Sequence, residues 1–500
     1  MPYLADEETS DDRRAGPRVI DETFDVGVTS GFPVGDHPGS YPFRGGSIGR
    51  VDIPSLNSRD LSRTESNEVT TQIFPANQQA TAERAFGLFS ADQARHIFSR
   101  EHGAGHEAIV LEAAPRTFFI QPGMVNVALF ETDEGLLLVD CGCAGDGPAL
   151  LGAIRSISDR PLHTVVYTHG HIDHAFGLWA FLEEGERPEI IAHENLVGHF
   201  RRYMKTGGLN ARINGQLPGP DGKRWPCEES DFAWPTRLFG DRLELTIGGE
   251  TFVVRHGKGE TDDAAWVWAP ERGVIAAGDL VTGYLPNAGN PRKVQRFAEE
   301  WADAAGEMAA LNPAVIIPGH GDLVSGADAI RDELTAMSRY LRHIVDHALA
   351  GLNSGVPHDE IVETLRIPVE LAGHPRLRAI YDKPEFICRN VIRRYSGWWD
   401  GHPANLLPAP KRDQATEIAR LAGGVDALVA RARELAEVDL RLACHLAEWA
   451  FLADRGDDNA QQCYVDVLER RASIEPSLMA QVNLRVSRQW VHAAREATSA

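Results

Sequence analysis

The stretch VVYTHGHIDHAFG, from Val165 to Gly177, carries three histidines and an aspartate within six residues, directly after an apolar run. The run predicts a buried strand, and in layered α/β folds ligands bind at the carboxyl ends of strands. Imidazole and carboxylate groups are ligands of borderline cations such as Zn²⁺. Four ligands on so tight a loop can hardly surround one ion, whereas a two-metal site shares them naturally. The candidate ligands are His169, His171, Asp173 and His174.

Two later segments also consist of an apolar strand that ends in a polar side chain. AVIIPGHGD ends with His320 between two glycines, and GVIAAGDL has Asp279 after a glycine. The less favoured interpretation of the first is a Pro-Gly turn with an incidental histidine, whereas the second, taken alone, would be a turn aspartate. Together with the histidine loop, they make His320 a further candidate ligand and Asp279 a carboxylate suited to bridge two metals.

The middle of the chain alternates between strand and helix patterns. FFIQPGMVNVALFET and GLLLVDCG predict strands, PALLGAIRSI predicts an amphipathic helix, and RLELTIGGETFVVRH predicts a hairpin that turns at Gly248 and Gly249. After residue 325 the pattern is helical almost throughout. The last helices resemble a helix–turn–helix repeat pair, for which a docking or dimerisation module is the favoured interpretation.

Composition limits the partners and the location. Lys and Arg number 50 against 72 Asp and Glu, a net charge of −22, which argues against a nucleic-acid or anionic-membrane partner. An anionic substrate would need a local positive pocket. Six scattered cysteines favour a reduced compartment, and neither a signal-peptide core nor an apolar run long enough for a bilayer is found. We therefore expect a cytoplasmic protein with an extended N-terminal arm over residues 1–75.

The order HxHxDH, then a ligand preceded by glycine, then GD, then GH resembles the metallo-β-lactamase superfamily over residues 115–325. The resemblance implies an α/β fold, the αββα sandwich, with two metal ions and a bridging hydroxide. We expect the catalytic domain at residues 76–325, followed by an all-α, repeat-like dimerisation domain at residues 326–500.

One departure from the common pattern indicates a branch of this superfamily. The segment RHGKGETDD has Glu260 where the superfamily usually has a histidine, and His256 lies four residues earlier. A glutamate at this place is similar to the alkylsulfatase branch. The segment YDKPEFICRNVIRRYSGWWDGHPANLLP resembles the alkylsulfatase dimerisation domain, which implies a homodimer. Glu260 is the favoured ligand, and His256 stays the alternative because an imidazole is also chemically suitable.

The resemblance implies the ligand sets and the reaction. The ligands expected for two zinc or other divalent ions are His169, His171 and Glu260 on one ion, Asp173, His174 and His320 on the other, and Asp279 near both. Water between two such ions loses a proton near pH 7 and becomes the nucleophile. The predicted activity is hydrolysis of a small anionic substrate, an alkyl sulfate ester, to an alcohol and sulfate.

Fixed cations are expected to bind the sulfate group. Arg389 stands where the branch tends to have a histidine that donates a proton to the leaving alcohol. An arginine cannot easily donate a proton near neutral pH but binds anions well. We count Arg389 with Asp173 and Asp279 as catalytic candidates. The other candidates for substrate binding, each of which could be an ordinary surface or turn residue, are Arg393, Arg292, Lys293, Asn210 and Asn214.

Several alternatives stay open. Asp279, shorter than the glutamate that the branch often has there, and Arg389 allow a two-metal hydrolase of a thioester, lactone or phosphodiester. A non-catalytic scaffold with structural metals is disfavoured, because structural zinc sites are normally closed and cysteine-rich. The aromatic residues Tyr395, Trp398 and Trp399 favour helix packing over an apolar channel for an alkyl tail.

Overall fold

The computed structural model describes residues 108–213 and 225–499, which all belong to one compact unit of the chain. The predicted arm over residues 1–75 and the candidate Asn214 lie outside the described residues. Strands in the first part form two sheets, and helices cover the outer face of each.

The first sheet contains seven strands in chain order. They are β1 (Ile109–Ala114), β2 (Thr117–Gln121), β3 (Val127–Glu131), β4 (Leu136–Val139), β5 (Leu162–Val166), β6 (Glu189–His193) and β7 (Arg237–Phe239). The first four pair antiparallel, and β4 to β7 pair parallel. Parallel strands are covered on both faces, which explains the unbroken apolar runs in β4 and β5. Val139 pairs with Val166, so the chain leaves both strands at the same edge.

The second sheet contains six strands in the order β13-β12-β11-β10-β9-β8. They are β8 (Arg242–Ile247), β9 (Glu250–His256), β10 (Ala265–Ala269), β11 (Val274–Gly278), β12 (Val315–Pro318) and β13 (Val324–Ser325). The predicted hairpin joins β8 to β9, and Gly248 and Gly249 both have the positive φ that such a tight turn requires. β11 and β12 pair parallel with Gly278 opposite Pro318, so Asp279 and His320 emerge at the same edge.

The two sheets pack face to face on a shared apolar core. It contains Phe130, Val139, Val166 and Ile191 from the first sheet and Phe252, Val254, Val267 and Ile317 from the second. The outer helices are α1 (Gly147–Ile157), α2 (Ile172–Ala175), α3 (Trp179–Glu183), α4 (Leu196–Lys205) and α5 (Gly207–Ile213) after the first sheet's strands, and α6 (Ala298–Ala310) and α7 (Ala327–Asn353) against the second sheet. This αββα layering, followed by helices, confirms the predicted fold class.

The helical part divides between two cores. Its helices are α8 (His358–Thr364), α9 (Val369–Ala372), α10 (Pro384–Tyr395), α11 (Lys411–Ala422), α12 (Val425–Leu435), α13 (Leu440–Ala453), α14 (Asp458–Ile474), α15 (Leu478–Leu484) and α16 (Val486–Ser499). Short 3₁₀ turns lie at Ala144–Asp146, Glu229–Asp231, Pro270–Arg272 and Pro403–Asn405. Helices α7 to α10 share the outer core of the second sheet, whereas α11 to α14 and α16 pack on a core of their own. The domain boundary at residue 325 therefore stays a prediction.

In the described ranges, none of the helices is long and apolar enough to cross a membrane.

Candidate active site

The histidine loop follows β5 and turns at once into α2. β5 ends at Val166, and His171 is the residue before α2. The first turn of α2 contains Asp173, and His174 follows it. Nε2 of His169 and Nδ1 of His171 are 2.9 Å apart. One tight turn thus directs four candidate ligands to one place.

The seven predicted ligands converge in two adjacent groups. Potential ligand atoms lie within 4.8 Å of one another in each group, which are His169, His171, Glu260 and Asp279, and Asp173, His174 and His320. Oδ2 of Asp279 is 3.8 Å from Nε2 of His169. Oδ1 is 3.1 Å from Nε2 of His174 and 3.3 Å from Nε2 of His320. The carboxylate of Asp279 therefore faces both groups, which is the place of a bridging ligand.

Asp140, the residue after β4, holds the histidine loop. Its φ of +64° lies in the left-handed region that residues other than glycine rarely adopt. Oδ1 accepts the N–H of Thr168 at 2.7 Å, and Oδ2 accepts the Thr168 hydroxyl at 2.8 Å. Oδ2 also lies 2.8 Å from Nδ1 of His174. A carboxylate there keeps a proton on Nδ1 and leaves Nε2 of His174 for a metal.

Two glycines allow the strand ends to approach closely. Gly278 has a φ of +50°, and a Cβ there would lie 2.5 Å from Oγ1 of Thr168. A Cβ on Gly319 would lie 2.3 Å from Oδ1 of Asp279. The glycines of the GD and GH motifs are therefore steric requirements for the position of the bridging carboxylate.

The residues present fit divalent cations. Nε2 of His174 and Oδ1 of Asp279 are buried and, although 3.1 Å apart, form no hydrogen bond of suitable angle with each other or with another group, which is rare unless a ligand satisfies such atoms. Burial lowers the pKa of His169 and His171, which keeps both imidazoles neutral, as metal ligands must be. Burial opposes protonation of His174 and His320 as well, but Asp279 and Asp173, together with Asp140 at His174, outweigh it and raise both pKa values, that of His320 to about 9. The negative potential that causes this also favours a dication.

Glu260, not His256, lies with the other candidate ligands. Glu260 is buried, and its Oε1 is 3.8 Å from Nδ1 of His171. The ring of His256 stacks on His193 with 3.8 Å between centroids, and its Nε2 is 2.9 Å from the carbonyl oxygen of Asp262. The geometry favours the glutamate, whose role as a ligand stays a prediction.

Two residues that the sequence analysis missed hold Glu260. Arg296, which is 2% exposed, forms an ion pair with Oε1 of Glu260. Asn287 donates from Nδ2 to the same oxygen at 2.6 Å. Burial raises the pKa of Glu260 to about 8 although Arg296 acts against it. A buried carboxylate needs such a partner, but no local pattern distinguishes Arg296 from its neighbour Arg292.

Three of the residues predicted to bind substrate are exposed or have other partners, and their role stays a prediction. α10 turns Cys388 and Asn390 inward, which leaves Arg389 on its exposed side. Arg292 donates from Nε to Oδ1 of Asn483 at 2.5 Å, far along the chain. Asn210 donates from Nδ2 to Oγ1 of Thr206 at 2.8 Å. In the described part of the chain, no contact joins the side chains of these three candidates to the clustered ligands.

Among the predicted cations, Lys293 interacts electrostatically with the candidate ligands. Burial and the neighbouring Arg296 lower its pKa to about 7, and Glu260 and Asp173 oppose this shift. Arg393 supports the same segment, since its Nη1 donates to the carbonyl oxygen of Lys293 at 3.2 Å. An amine that is only partly charged at neutral pH thus lies within electrostatic range of the ligands, and an anionic group of a substrate bound there would favour its charged form.

The aromatic residue at the end of α10 and the two that follow the helix do not pack as helix core, so that interpretation is wrong. Trp398 is 77% exposed, Trp399 40% and Tyr395 43%. Two other aromatic residues, Tyr284 and Tyr381, lie near the ligands and were not singled out. Their rings stack with 5.6 Å between centroids. Only the pairing of two distant loops brings them together, and the sequence pattern does not contain that pairing.

Comparisons with known proteins give the same two parts. Residues 120–320 match the family profile of the metallo-beta-lactamase superfamily, and residues 357–488 match that of alkyl sulfatase dimerisation. A linear primary-alkylsulfatase of Pseudomonas sp. (strain ATCC 19151) is 29% identical over 356 residues, 67% of this chain and 67% of the relative. An alkyl/aryl-sulfatase of Saccharomyces cerevisiae (strain ATCC 204508 / S288c) is 26% identical over 372 residues, 69% of this chain and 58% of the relative.

A solved structure has the same fold. The stereoselective inverting sec-alkylsulfatase Pisa1 from Pseudomonas sp. superimposes with a TM-score of 0.67 over 77% of this chain and 65% of that chain, at 23% identity. An identity this low speaks for the fold alone, whereas the two family profiles together cover the sandwich and the helical part. Residues 120–320 therefore form a metallo-β-lactamase superfamily domain and residues 357–488 an alkyl sulfatase dimerisation domain, the two parts that the sequence resemblance predicts.

Proposed function

We propose that this protein hydrolyses alkyl sulfate esters to an alcohol and sulfate with two divalent metal ions at the clustered ligands. The observation that carries the proposal is the convergence of six candidate ligands, among them a glutamate at position 260, around the seventh, Asp279. Two relatives are named alkylsulfatase or alkyl/aryl-sulfatase, which supports a sulfate ester as the substrate. The match of residues 357–488 to alkyl sulfatase dimerisation supports the same substrate class.

The ligand chemistry supports zinc. Imidazole and carboxylate groups in open sets of three or four are typical of catalytic zinc, since structural zinc sites are closed and rich in cysteine. Two zinc ions would supply Lewis acidity and a water with a pKa lowered to about 7. The chain's own residues hold this arrangement, with Asp279 between the groups and Asp140 fixing the orientation of His174.

Lys293 is proposed to pair with the sulfate group. Arg296 is paired with Glu260, and its neighbour Lys293 interacts electrostatically with Glu260 and Asp173, so Lys293 is close enough to the candidate ligands to meet a bound anion. Asp173 and Glu260, which favour the charged ammonium group, bind metal ions in this proposal. A bound sulfate group would then replace these two carboxylates as the counter-ion of Lys293.

A homodimer is proposed through the helical part. Residues 357–488 match a dimerisation domain, and the segment after α10 exposes Trp398 and Leu407 within that region. Large apolar side chains that are exposed close together are typical of interaction sites.

The test is sulfate release from a medium-chain alkyl sulfate by the purified, zinc-loaded protein, with a matched carboxylic ester, thioester and phosphodiester in parallel. We expect turnover of the sulfate ester, its loss on chelation and its return with zinc. Turnover of another ester with the alkyl sulfate untouched would replace the substrate class and keep the two-metal site. Full activity of the metal-free protein would contradict the metal part.

A further inference from the structure

Hydrolysis of an alkyl sulfate at the S–O bond releases an alkoxide, which needs a proton. An alkoxide is about as basic as hydroxide, since water has a pKa of ~15.7, so a positioned acid accelerates its departure. The imidazoles of the clustered ligands are expected on metals, and a guanidinium group does not release its proton at neutral pH. Phenols keep a proton that they can donate, and two of them lie beside the ligands of this protein.

Tyr284 and Tyr381 form a stacked pair, with 5.6 Å between ring centroids and 24° between ring planes. The loop of Tyr284 lies against the ligand edge of the second sheet. There the carbonyl oxygen of Thr282 lies so close to Gly321, next to His320, that a Cβ on that glycine would be 2.9 Å away. The pair is therefore beside the candidate metal ligands.

Both hydroxyls lie within electrostatic range of the two ligand groups. Burial raises the pKa of Tyr284, and the carboxylates of Asp279, Glu260 and Asp173 raise it further. Burial and the same three carboxylates also raise the pKa of Tyr381 above its usual value. Both phenols consequently keep their proton at neutral pH.

Tyr381 is held more firmly than an ordinary loop residue. Its carbonyl oxygen accepts the hydroxyl of Ser477 at 2.7 Å and the N–H of Met479 at 3.1 Å. The next residue, Asp382, accepts the N–H of Gly289 at 2.6 Å. These bonds fix the loop between the ligand-bearing loop and the start of α15. Such anchoring is what a group that transfers a proton requires.

We propose, resting on the proposed function, that Tyr381 is a catalytic residue that donates its phenolic proton from Oη to the bridging ester oxygen. The oxygen of water bonds to sulfur, the bond from sulfur to the bridging oxygen breaks, and its electron pair stays on the bridging oxygen. The proton of Tyr381 converts that oxygen to the alcohol hydroxyl. The tyrosinate recovers a proton from those that the attacking water releases as sulfate forms. Tyr284 stacks on Tyr381 and positions its ring.

The experiment compares the purified zinc-loaded protein with its Tyr381→Phe and Tyr284→Phe variants on two substrates. A primary alkyl sulfate has a leaving group that needs a proton, whereas 4-nitrophenyl sulfate releases a phenolate that is stable without one. We expect Tyr381→Phe to lower kcat for the alkyl sulfate about 10²- to 10⁴-fold and to change kcat for the aryl sulfate only a few-fold. Tyr284→Phe keeps the ring stack, and we expect it to affect both substrates slightly and equally.

Equal losses on both substrates in Tyr381→Phe would assign the residue a structural role and overturn the proposal. Turnover in ¹⁸O-labelled water gives a second test, with the label expected in sulfate. Label in the alcohol would mean that the C–O bond breaks, and the proposed proton transfer would be wrong. A wild-type protein that cleaves neither sulfate would instead remove the proposed function itself, which separates the two failures.

Discussion

At the scale of single residues, the choice between Glu260 and His256 decides how the first ion is bound. Only the glutamate lies with His169 and His171. The ring of His256, the last residue of β9, is stacked on His193 instead. Both alternatives come from one short segment. Only the turn after β9 settles which of the two side chains points toward the histidine loop.

We expect Glu260→Gln to lose one of two bound ions and at least ~100-fold in kcat, because an amide is a poor ligand and leaves Arg296 without its counter-ion. His256→Ala is the matched control, and we expect it to keep both ions and to stay within about threefold of wild-type kcat, since mutations outside a site have small effects. Two measurements test this prediction, the metal content per chain by mass spectrometry and kcat for an alkyl sulfate. Loss of an ion from His256→Ala alone would reverse the assignment.

A second residue-scale prediction concerns the cation for the sulfate group. Lys293→Met removes the proposed charge pair and should raise KM for an alkyl sulfate about 10- to 100-fold, the value of a hydrogen bond between charged groups. Its effect on a neutral ester of the same chain length should be much smaller. Arg389→Ala, which removes an exposed cation on α10, should change either KM less than twofold. A larger effect of Arg389→Ala than of Lys293→Met on KM for the alkyl sulfate would assign sulfate binding to Arg389 instead.

At the scale of elements, the ends of strands were predictable and the long loops were not. β5, β11 and β12 each read as an apolar run followed by a ligand-type side chain, and parallel pairing of β11 with β12 brings two such ends together. Asp140 at the end of β4 fits the same pattern and could have been found. Arg296, Asn287 and Tyr381 could not, because their positions depend on contacts between loops that are distant in sequence, 27 residues for Asn287 with Glu260 and 93 for Gly289 with Asp382, which leaves no local periodicity.

Asp382 makes the clearest of these contacts between loops. We expect it to make the free energy of unfolding depend on pH. Burial raises its pKa from 3.8 to about 7, although the N–H groups of Gly289 and Lys383 act against this. A raised pKa in the folded state gives stability that is complete below about pH 4 and is lost as pH rises through about 7. The asparagine of Asp382→Asn does not titrate. The free energy of unfolding of this variant minus that of wild type should therefore rise by about 2 kcal/mol from pH 5 to 7.

Thermal unfolding of wild type and variant at half-unit pH steps measures this difference. Asp426→Asn, at an exposed carboxylate in the first turn of α12, serves as the control and should run parallel to wild type. A parallel profile for Asp382→Asn as well would show that the carboxylate does not take up a proton on folding.

At the scale of the whole molecule, the helical part is more than an appendage. Helices α7 to α10 complete the outer core of the second sheet, and α15 carries the bonds that fix the Tyr381 loop. A two-part sequence pattern predicts a sandwich followed by helices. It does not show that residues of the second part face the ligands of the first, because that depends on how the parts pack.

The same helical part should also join two copies of the chain, and the segment after α10 is the surface that we expect to be covered. Leu407 is 91% exposed, and it lies within the matched dimerisation region. Leu407→Asp would place a charge where about 1.5–3 kcal/mol of apolar burial is expected from each of the two copies, so the dimer Kd should rise about 100-fold or more. Leu238→Asp on β7, outside that region and 48% exposed, should leave the dimer intact. Sedimentation at several concentrations compares the two variants. Dissociation by the β7 variant alone would move the interface to the open edge of the first sheet.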